Sequence, residues 1–416
     1  MFAPLGETGT IYHLLFHFFL FSNHSVMTLA NRTVTHVHAK PHYEQLDGLR
    51  GVAALLVVIY HIFEGYAFAG NLPVITCLNH GYLAVDFFFI LSGFVIGYAY
   101  DDRWKQGLTL SGFFKRRLIR LHPMVVVGAL LGVTTFLLQG ACHWDGTKVP
   151  LSWTLVALFF AMCLLPAVPG CPREVRGNGE MFPLNGPAWS LFFEYIGNIL
   201  YALFIRKLGT RMLGTLTLLL GAGWLTFALS DASGYGSMGV GWTLDAPNAV
   251  GGLLRMLFPF TLGLWLSRKF VPLAVKHTFW PCALVLLLLF LVPYIPGKAP
   301  VCLNSIYEAF CVMLVFPCLV WLGASGSACS EAPASPSVLS SAAASRFLGN
   351  LSYPLYMVHY PIMYLYYAWL IRHGIGSSVT HIALAVGVVV GCVLLAWCCL
   401  RFIETPVRRW LSRKFV

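Results

Sequence analysis

Residues 46–63 read LDGLRGVAALLVVIYHIF, and this stretch decides the fold class. Arg50 and His61 are eleven residues apart, with an almost wholly apolar run between them. At about 100° and 1.5 Å per residue, both lie on one helix face, about 16 Å apart along the axis. Ionisable groups inside a bilayer cost about 2.5–3.5 kcal/mol each on insertion scales, and they usually mark a substrate or proton path. The stretch predicts a membrane-spanning helix built around a polar site.

The whole chain has the composition of a membrane protein. Of its 416 residues, 58% are hydrophobic and only 10% are charged, against about 25% charged residues in soluble proteins. The net charge of +11 relates to membrane topology, because Lys and Arg accumulate in cytoplasmic loops. No basic run lies on a soluble domain, so nucleic acid is not an expected partner. The twelve cysteines show no metal-binding spacing, and we expect no metal.

Apolar runs of spanning length predict an all-α, polytopic membrane helix bundle. Ten of them occur, at 47–66, 82–100, 118–138, 187–205, 212–230, 249–267, 279–296, 302–323, 348–370 and 380–403. An eleventh run, 151–169, is shorter and bounded by prolines. If it does not cross, 21 of the 27 basic residues lie on the cytoplasmic side, whereas a crossing would remove this asymmetry. We therefore predict a multi-pass inner-membrane protein with ten spans, both termini cytoplasmic, and 151–169 re-entrant or lying on the surface.

Three segments define the domain organisation. Residues 1–42 form an N-terminal extension without an assigned role, and 43–410 form the membrane domain. Within that domain, 324–346 is Ala/Ser/Pro-rich and of low complexity, which predicts a flexible cytoplasmic linker.

Four titratable residues are predicted inside the membrane. His61, Asp86 and Glu194 fall five to seven residues from the outer ends of their spans, and His359 lies near mid-depth. Each alone is as readily a buried polar residue that holds helices together. Their converging depths favour a shared, hydrated cavity.

A basic cluster is predicted at the cytoplasmic edge, where residues 113–123 read FFKRRLIRLHP. Arg117 and Arg120 are neighbours on one helix face and are able to clamp a phosphate bidentately, and Arg50 lies at the same edge. Lys115 and Arg116 fit an ordinary positive-inside anchor. The arrangement suits a large anionic cofactor whose reactive end reaches a general base deeper in the membrane.

With these residues in view, the chain resembles the acyltransferase 3 family of integral membrane acyltransferases. Seven blocks carry the resemblance in order: LDGLRGVAALLVVIYH (46–61), VDFFFILSGFVIG (85–97), FFKRRLIRLHP (113–123), PAWSLFFEYIGNILYAL (187–203), RMLFPFTLGLWL (255–266), LGNLSYPLYMVHYPI (348–362) and FIETPVRRW (402–410). The first contains the family's Arg-x10-His motif and the third its Arg-x-x-Arg motif.

The resemblance implies that Arg50 and His61 are essential, and that Arg117 and Arg120 bind the donor acyl-CoA, expected to be acetyl-CoA. The acceptor would be a hydroxyl of a glycan, exopolysaccharide or glycolipid, reached from the membrane or from outside. Some relatives carry a fused extracytoplasmic esterase-like domain. We expect this chain to act alone or with a separate extracytoplasmic acyl-accepting protein.

In this interpretation His61 is the general base, with a transient acyl-histidine as the alternative. Asp86 or Glu194 would hold its tautomer, while Glu64, three residues after His61, either lies at the cavity rim or orients the ring. The residues expected to shape the pocket are Trp189, Ser190, Arg255 and Tyr353.

Two other functions fit the polar membrane residues. A proton-coupled transporter also uses buried His, Asp, Glu and Arg, although the sequence shows no internal repeat that would favour one. A purely structural scaffold needs no aligned ionisable residues.

Overall fold

The structure is a computed structural model of the chain and describes residues 42–70, 79–295, 302–328, 341–376 and 378–416. The predicted extension at 1–42 lies outside these residues except for His42. Residues 42–416 belong to one compact unit. Within its described part the secondary structure is helical, with only isolated β-bridges between loops, which confirms the all-α bundle.

The described α-helices are numbered here in chain order. They are α1 (Glu44–Ala69), α2 (Ala84–Lys105), α3 (Leu110–Leu138), α4 (Leu151–Met162), α5 (Ala188–Leu203), α6 (Thr210–Leu229), α7 (Ala246–Lys269), α8 (Phe279–Leu291), α9 (Leu303–Phe310), α10 (Phe316–Ala328), α11 (Ser341–His373), α12 (Val379–Cys399) and α13 (Thr405–Phe415). Single π-helical turns join α9 to α10 at Cys311–Val315 and α12 to α13 at Leu400–Glu404.

Eight helical stretches of the described chain are long and apolar enough to cross a membrane. They are α1, α2, α3, α5, α6, α7, the continuous α9–α10 and the continuous α12–α13. The other two predicted spans correspond to α8, which has 13 residues, and to α11, which has 33 and a tyrosine-rich centre. The chain is therefore a multi-pass membrane protein.

Helices α1 and α11 pack closely and run in the same direction. A Cβ at Gly51 would lie 2.2 Å from the carbonyl oxygen of Leu348, and one at Gly65 would lie 2.5 Å from the ring of Tyr367. Residue numbers rise together along both helices, so the two are parallel. If α8 crosses and the spans alternate in direction, α11 is parallel to α1 only when 151–169 does not cross.

The 151–169 segment contains α4, whose 12 residues span about 18 Å, too short for a hydrocarbon core of about 30 Å. It packs on α3 and exposes an apolar face that includes Trp153 and Phe159. This is the geometry of an interfacial helix. The short length of α4 and its position on α3 support the prediction that the segment does not cross, which stays a prediction.

The predicted linker at 324–346 is shorter than expected. Helix α10 continues to Ala328 and α11 begins at Ser341, so both ends of the segment are helical. Alanine is the strongest helix former, and residues 342–344 are three consecutive alanines. Residues 329–340 lie outside the described part of the chain.

Candidate active site

A cavity of about 570 Å³ lies among α1, α2, α5, α7 and α11. Loops that follow α3, α4, α6 and α8 close it, and all four are predicted to be extracytoplasmic. Aromatic residues dominate its wall, and the charged groups are few: His61, Glu64, Glu180 and Arg255. A largely apolar pocket with a few convergent polar groups is typical of a small-molecule site.

His61 and Glu64 form a hydrogen-bonded pair in the wall of this cavity. Nδ1 of His61 lies 2.6 Å from Oε2 of Glu64, one helical turn further along α1. An ionised carboxylate only accepts hydrogen bonds, so Nδ1 of the neutral ring carries the proton. Nε2 then keeps its lone pair, and no other group in the described residues occupies it. This imidazole is oriented as a proton acceptor.

Two tyrosines of α11 fix the carboxylate of Glu64. The hydroxyl of Tyr367 donates to Oε2 of Glu64 at 2.8 Å, and that of Tyr360 donates to the same oxygen at 3.2 Å. Tyr367 also lies 2.9 Å from the carbonyl oxygen of His61. The parallel packing of α1 and α11 brings these groups together, so one carboxylate orients the histidine and is itself held by two hydroxyls.

His359 stacks on His61 from behind the cavity wall. The ring centroids are 5.3 Å apart with the planes at 28°. His359 is fully buried, and its Nδ1 donates to the carbonyl oxygens of Tyr356 at 2.9 Å and Leu355 at 3.1 Å. It does not line the cavity. His359, which was predicted to be catalytic, therefore packs against the ring of His61 and does not face the cavity.

Asp86 does not contact His61, contrary to the sequence-based expectation. Both of its oxygens accept from Arg255, at 2.6 Å and 3.2 Å. Arg255 also donates to the carbonyl oxygens of Val240 at 2.7 Å and Tyr82 at 3.1 Å. A buried arginine needs a carboxylate close by, and α2 supplies it. Arg255 lines the cavity as predicted, and it ties the loop after α6 to the bundle.

Glu194 lies deeper than predicted and is also not beside His61. It accepts from Arg117 at 2.7 Å and from Ser92 at 2.8 Å. Ser92 is six residues after Asp86 on α2, hence about 9 Å deeper. The predicted common depth is wrong, because α5 does not start at the membrane surface.

The segment before α5 re-enters the bundle. The side-chain amide of Asn185 donates to the carbonyl oxygen of Met357 at 2.9 Å, inside α11, and Gly186 and Pro187 line the cavity. Glu194 was counted from a span that begins at Pro187, as if that residue were at the surface. The re-entrant stretch of this protein is thus the loop before α5, and 151–169 only lies on the bundle.

Arg50, Arg117 and Arg120 form the predicted basic mouth at the cytoplasmic edge, and only some of them are paired with a carboxylate. Arg117 is 6% exposed and paired with Glu194, so it is not the open phosphate clamp that the sequence suggested. Arg120 is exposed, and no carboxylate of the described residues lies within ion-pair distance of it. Arg50 is held by Asp47 at 2.7 Å and by Ser352 at 3.0 Å.

The remaining predicted pocket residues are distributed around the cavity. Trp189 lines it and stacks near Arg255, with 5.2 Å between ring centroid and Cζ. Ser190 shares a 2.6 Å hydrogen bond with the hydroxyl of Tyr356, a lining residue. Tyr353 points the other way, toward the basic mouth, where its hydroxyl donates to the carbonyl oxygen of Leu121.

Sequence reasoning missed Arg176 and Glu180 in the re-entrant loop. The guanidinium of Arg176 lies 3.4 Å from the ring centroid of Tyr364 and donates to the side chain of Gln139 at 2.7 Å. Glu180 lines the cavity and accepts from the hydroxyl of Tyr364. Burial raises the pKa of the Glu180 carboxyl to about 7. The only signal in the sequence was a pair of charges in a loop expected to be exposed.

The geometry agrees with a comparison against known protein families. A family model described as an acyltransferase domain matches residues 43–401. The chain belongs to the acyltransferase 3 family. This match covers nearly all of the membrane domain predicted at 43–410, and it places the chain among membrane acyltransferases and not among transporters.

Several curated relatives are similar to this chain. "Protein 2 in picA locus" of Rhizobium radiobacter is 37% identical over 167 residues, which are 38% of this chain and 79% of that protein. "Acyltransferase MdmB" of Streptomyces mycarofaciens is 34% identical over 40% of this chain and 41% of its own length. "Putative peptidoglycan O-acetyltransferase YrhL" of Bacillus subtilis is 26% identical over 89% of this chain and 55% of its own length. The matches to the last two relatives thus cover only about half of those proteins' own lengths. No solved structure matches it.

Proposed function

We propose that this protein is an inner-membrane O-acyltransferase that moves an acyl group, most simply acetyl, from cytoplasmic acyl-CoA to a hydroxyl of a glycan or glycolipid. The observation that carries the proposal is the 2.6 Å contact between Nδ1 of His61 and Glu64, which leaves Nε2 available at the cavity wall. Arg50 and Arg120 mark the opposite end of the same helix bundle.

The reaction follows from these positions. Nε2 of His61 takes the proton of the acceptor hydroxyl as its oxygen attacks the carbonyl carbon of the thioester. The carbon–sulfur bond then breaks, and the proton passes from the imidazolium to the departing sulfur, which gives an ester and free CoA. Glu64 stabilises the imidazolium through the ion pair, and its two tyrosines keep it in place.

The two substrates approach from opposite sides. The phosphates of acyl-CoA bind at Arg50 and Arg120, because arginine makes charge-assisted hydrogen bonds to phosphate oxygens. The thioester, at the far end of the donor's long arm, has to reach His61, about 16 Å along α1 from Arg50. The acceptor enters the cavity between the outer loops. A separate extracytoplasmic protein is the alternative recipient of the acyl group.

Purified protein in lipid nanodiscs tests this proposal directly. Acetyl-CoA is supplied with a panel of methyl glycosides, and released CoA thiol and acetyl ester are measured together. We expect equimolar CoA and ester, above a control of empty nanodiscs. Absence of both products with every acceptor, and with propionyl-CoA and butyryl-CoA as alternative donors, would contradict the proposed reaction.

A further inference from the structure

The proposed acyl transfer develops a negative charge that His61 does not neutralise. When the acceptor oxygen attacks the thioester, the carbonyl oxygen takes up the π electrons of the C=O bond and becomes an oxyanion. His61 serves the attacking oxygen and the departing sulfur, and not this third atom. Donors that stand ready at an oxyanion are worth about 10²–10³ in kcat each, so a donor is expected in the cavity wall.

Tyrosine hydroxyls are the most numerous side-chain donors in that wall, and most of them are engaged. Eight tyrosines line the cavity, and six of their hydroxyls donate to carboxylate or carbonyl oxygens of the described residues. These six are Tyr82, Tyr294, Tyr356, Tyr360, Tyr364 and Tyr367. Each would have to give up a hydrogen bond before it could donate to a substrate.

Tyr60 is the exception nearest to the base. Its hydroxyl forms no hydrogen bond within the described part of the chain, yet it is not shut off from the cavity that the residue lines. The residue as a whole is only 7% exposed, so its position is that of a wall residue and not of a mobile surface group. The remaining lining tyrosine, Tyr235, belongs to the outer loop after α6.

The ring of Tyr60 is held beside the ring of His61. The two residues are consecutive on α1, and their ring centroids are 5.0 Å apart at an angle of 70°. Tyr82 packs against Tyr60 at a centroid distance of 6.0 Å and an angle of 69°. In a tetrahedral intermediate, the attacking oxygen and the oxyanion are bonded to one carbon. The base and the oxyanion donor therefore have to be neighbours, each about 3 Å from its own oxygen.

We infer that Tyr60 is a catalytic residue whose hydroxyl donates a hydrogen bond to the carbonyl oxygen of the thioester and stabilises the oxyanion. This inference rests on the proposed function. The proton of Tyr60 stays on its oxygen throughout. His61 takes the proton of the acceptor hydroxyl, the carbon–sulfur bond breaks as the carbonyl re-forms, and the imidazolium protonates the sulfur. Because the hydrogen bond strengthens as charge develops, Tyr60 should act on kcat and not on substrate binding.

Tyr60→Phe tests the inference, since it keeps the packed ring and removes only the hydroxyl. Tyr66→Phe is the matched control, because Tyr66 lies on the same helix, packs on Tyr366 at a centroid distance of 6.4 Å and does not line the cavity. With acetyl-CoA and a methyl glycoside, we expect Tyr60→Phe to lower kcat about 100-fold and to leave both KM values unchanged. Tyr66→Phe should match wild type. Thermal unfolding midpoints are measured for both.

Two donor analogues separate the oxyanion from the rest of the donor. S-ethyl-CoA is a thioether without a carbonyl group, whereas the ketone of S-trifluoroacetonyl-CoA hydrates to a tetrahedral carbon that bears hydroxyls. We expect wild-type protein to bind the ketone more tightly than the thioether. Tyr60→Phe should lose several-fold in affinity for the ketone and none for the thioether, because only the ketone places an oxygen at the lost hydroxyl.

The outcomes separate the inference from the proposed function. If Tyr60→Phe retains the wild-type kcat, or if wild-type protein binds the two analogues equally, the oxyanion role is wrong while the acyltransferase stands. The inference also fails if Tyr60→Phe changes the rate at which diethyl pyrocarbonate modifies His61, followed by mass spectrometry, because Tyr60 would then act through His61. If wild-type protein yields no ester with any acceptor, the proposed function itself fails.

Discussion

Oε2 of Glu64 accepts hydrogen bonds from Nδ1 of His61 at 2.6 Å and from the hydroxyl of Tyr367 at 2.8 Å. One oxygen atom thus links the two helices that run in parallel through the bundle. The contact fixes which nitrogen of His61 carries the proton, and it leaves the other nitrogen for the acceptor hydroxyl. Any loss of this carboxylate should therefore change the chemical step more than it changes substrate binding.

We expect Glu64→Gln to lower kcat on the order of 100-fold, within the range of general acid–base contributions, with little change in either KM. An amide neither stabilises the imidazolium nor enforces the tautomer. Steady-state kinetics with acetyl-CoA and a methyl glycoside measure this split. Glu44→Gln, at a half-buried carboxylate that pairs with Arg346 at the start of the same helix, is the control. A kcat within twofold of wild type would remove Glu64 from the mechanism.

Arg120→Ala should weaken donor binding. Arg120 is exposed beside Arg50, and removing one charge-assisted contact to phosphate costs about 1.5 kcal/mol, which raises the KM for acetyl-CoA about tenfold. Arg409→Ala removes an exposed arginine of α13 and should have no effect. The two variants are compared at high and low salt. If Arg120→Ala and Arg409→Ala have equal KM values for acetyl-CoA, Arg120 does not bind the donor and serves only membrane topology.

Arg117→Ala should act on stability and not on the donor KM. It leaves Glu194 as a partly buried carboxylate without its partner, which we expect to cost on the order of 2 kcal/mol, less than the 3–5 kcal/mol of a fully buried pair. Heating in detergent followed by size-exclusion chromatography reports the loss of folded protein. The double variant with Glu194→Gln should recover most of the midpoint. A raised donor KM with an unchanged midpoint would show that Arg117 binds the donor.

The affinity for the acceptor should depend on pH through Glu180. Burial raises the pKa of this carboxyl to about 7, so it is ionised above that pH and protonated below it. The ionised form accepts hydrogen bonds more strongly, and the glycoside KM should therefore rise as the pH falls from 8 to 6. Tyr364, Arg176 and Glu64 are the other charged or titratable groups that influence Glu180.

Glu180→Gln separates this titration from that of the neighbouring groups. Because glutamine does not ionise in this range, the variant should show a glycoside KM that is flat with pH, at a value above that of wild type at pH 8. The KM for cyclohexanol, a ring with a single hydroxyl, serves as the internal control. A wild-type profile that the variant reproduces would assign the pH dependence to another group.

Sequence patterns predicted the spans well, because apolar length is a local property that the bilayer imposes on each helix. The partners of buried charges were predicted poorly. Asp86 could equally have faced His61 or Arg255, and only the packing of α2 on α7 decides between them. The signal for Glu64 was present in its spacing from His61, but the two hydroxyls that hold its carboxylate come from a helix about 300 residues away.

The burial of the re-entrant loop before α5 could not be predicted from the sequence, for a physical reason. The loop is rich in Gly, Pro, Asn and charged residues, a composition that predicts an exposed loop. The burial of Arg176 and Glu180 is compensated by tertiary partners: Tyr364 stacks on one and donates to the other, and Arg176 also donates to Gln139. Such compensation depends on tertiary contacts, so the depth of Glu194 could not be counted from the start of its apolar run.

The central claim is that His61 takes the acceptor proton during acyl transfer from acyl-CoA. The most direct test compares His61→Ala with His373→Ala, an exposed histidine at the far end of α11, in nanodiscs with radiolabelled acetyl-CoA and a methyl glycoside. We predict that His61→Ala loses at least 100-fold in kcat, folds and inserts normally, and binds acetyl-CoA with unchanged affinity, while His373→Ala matches wild type. A His61→Ala protein that forms acetyl ester at the wild-type rate would contradict the account.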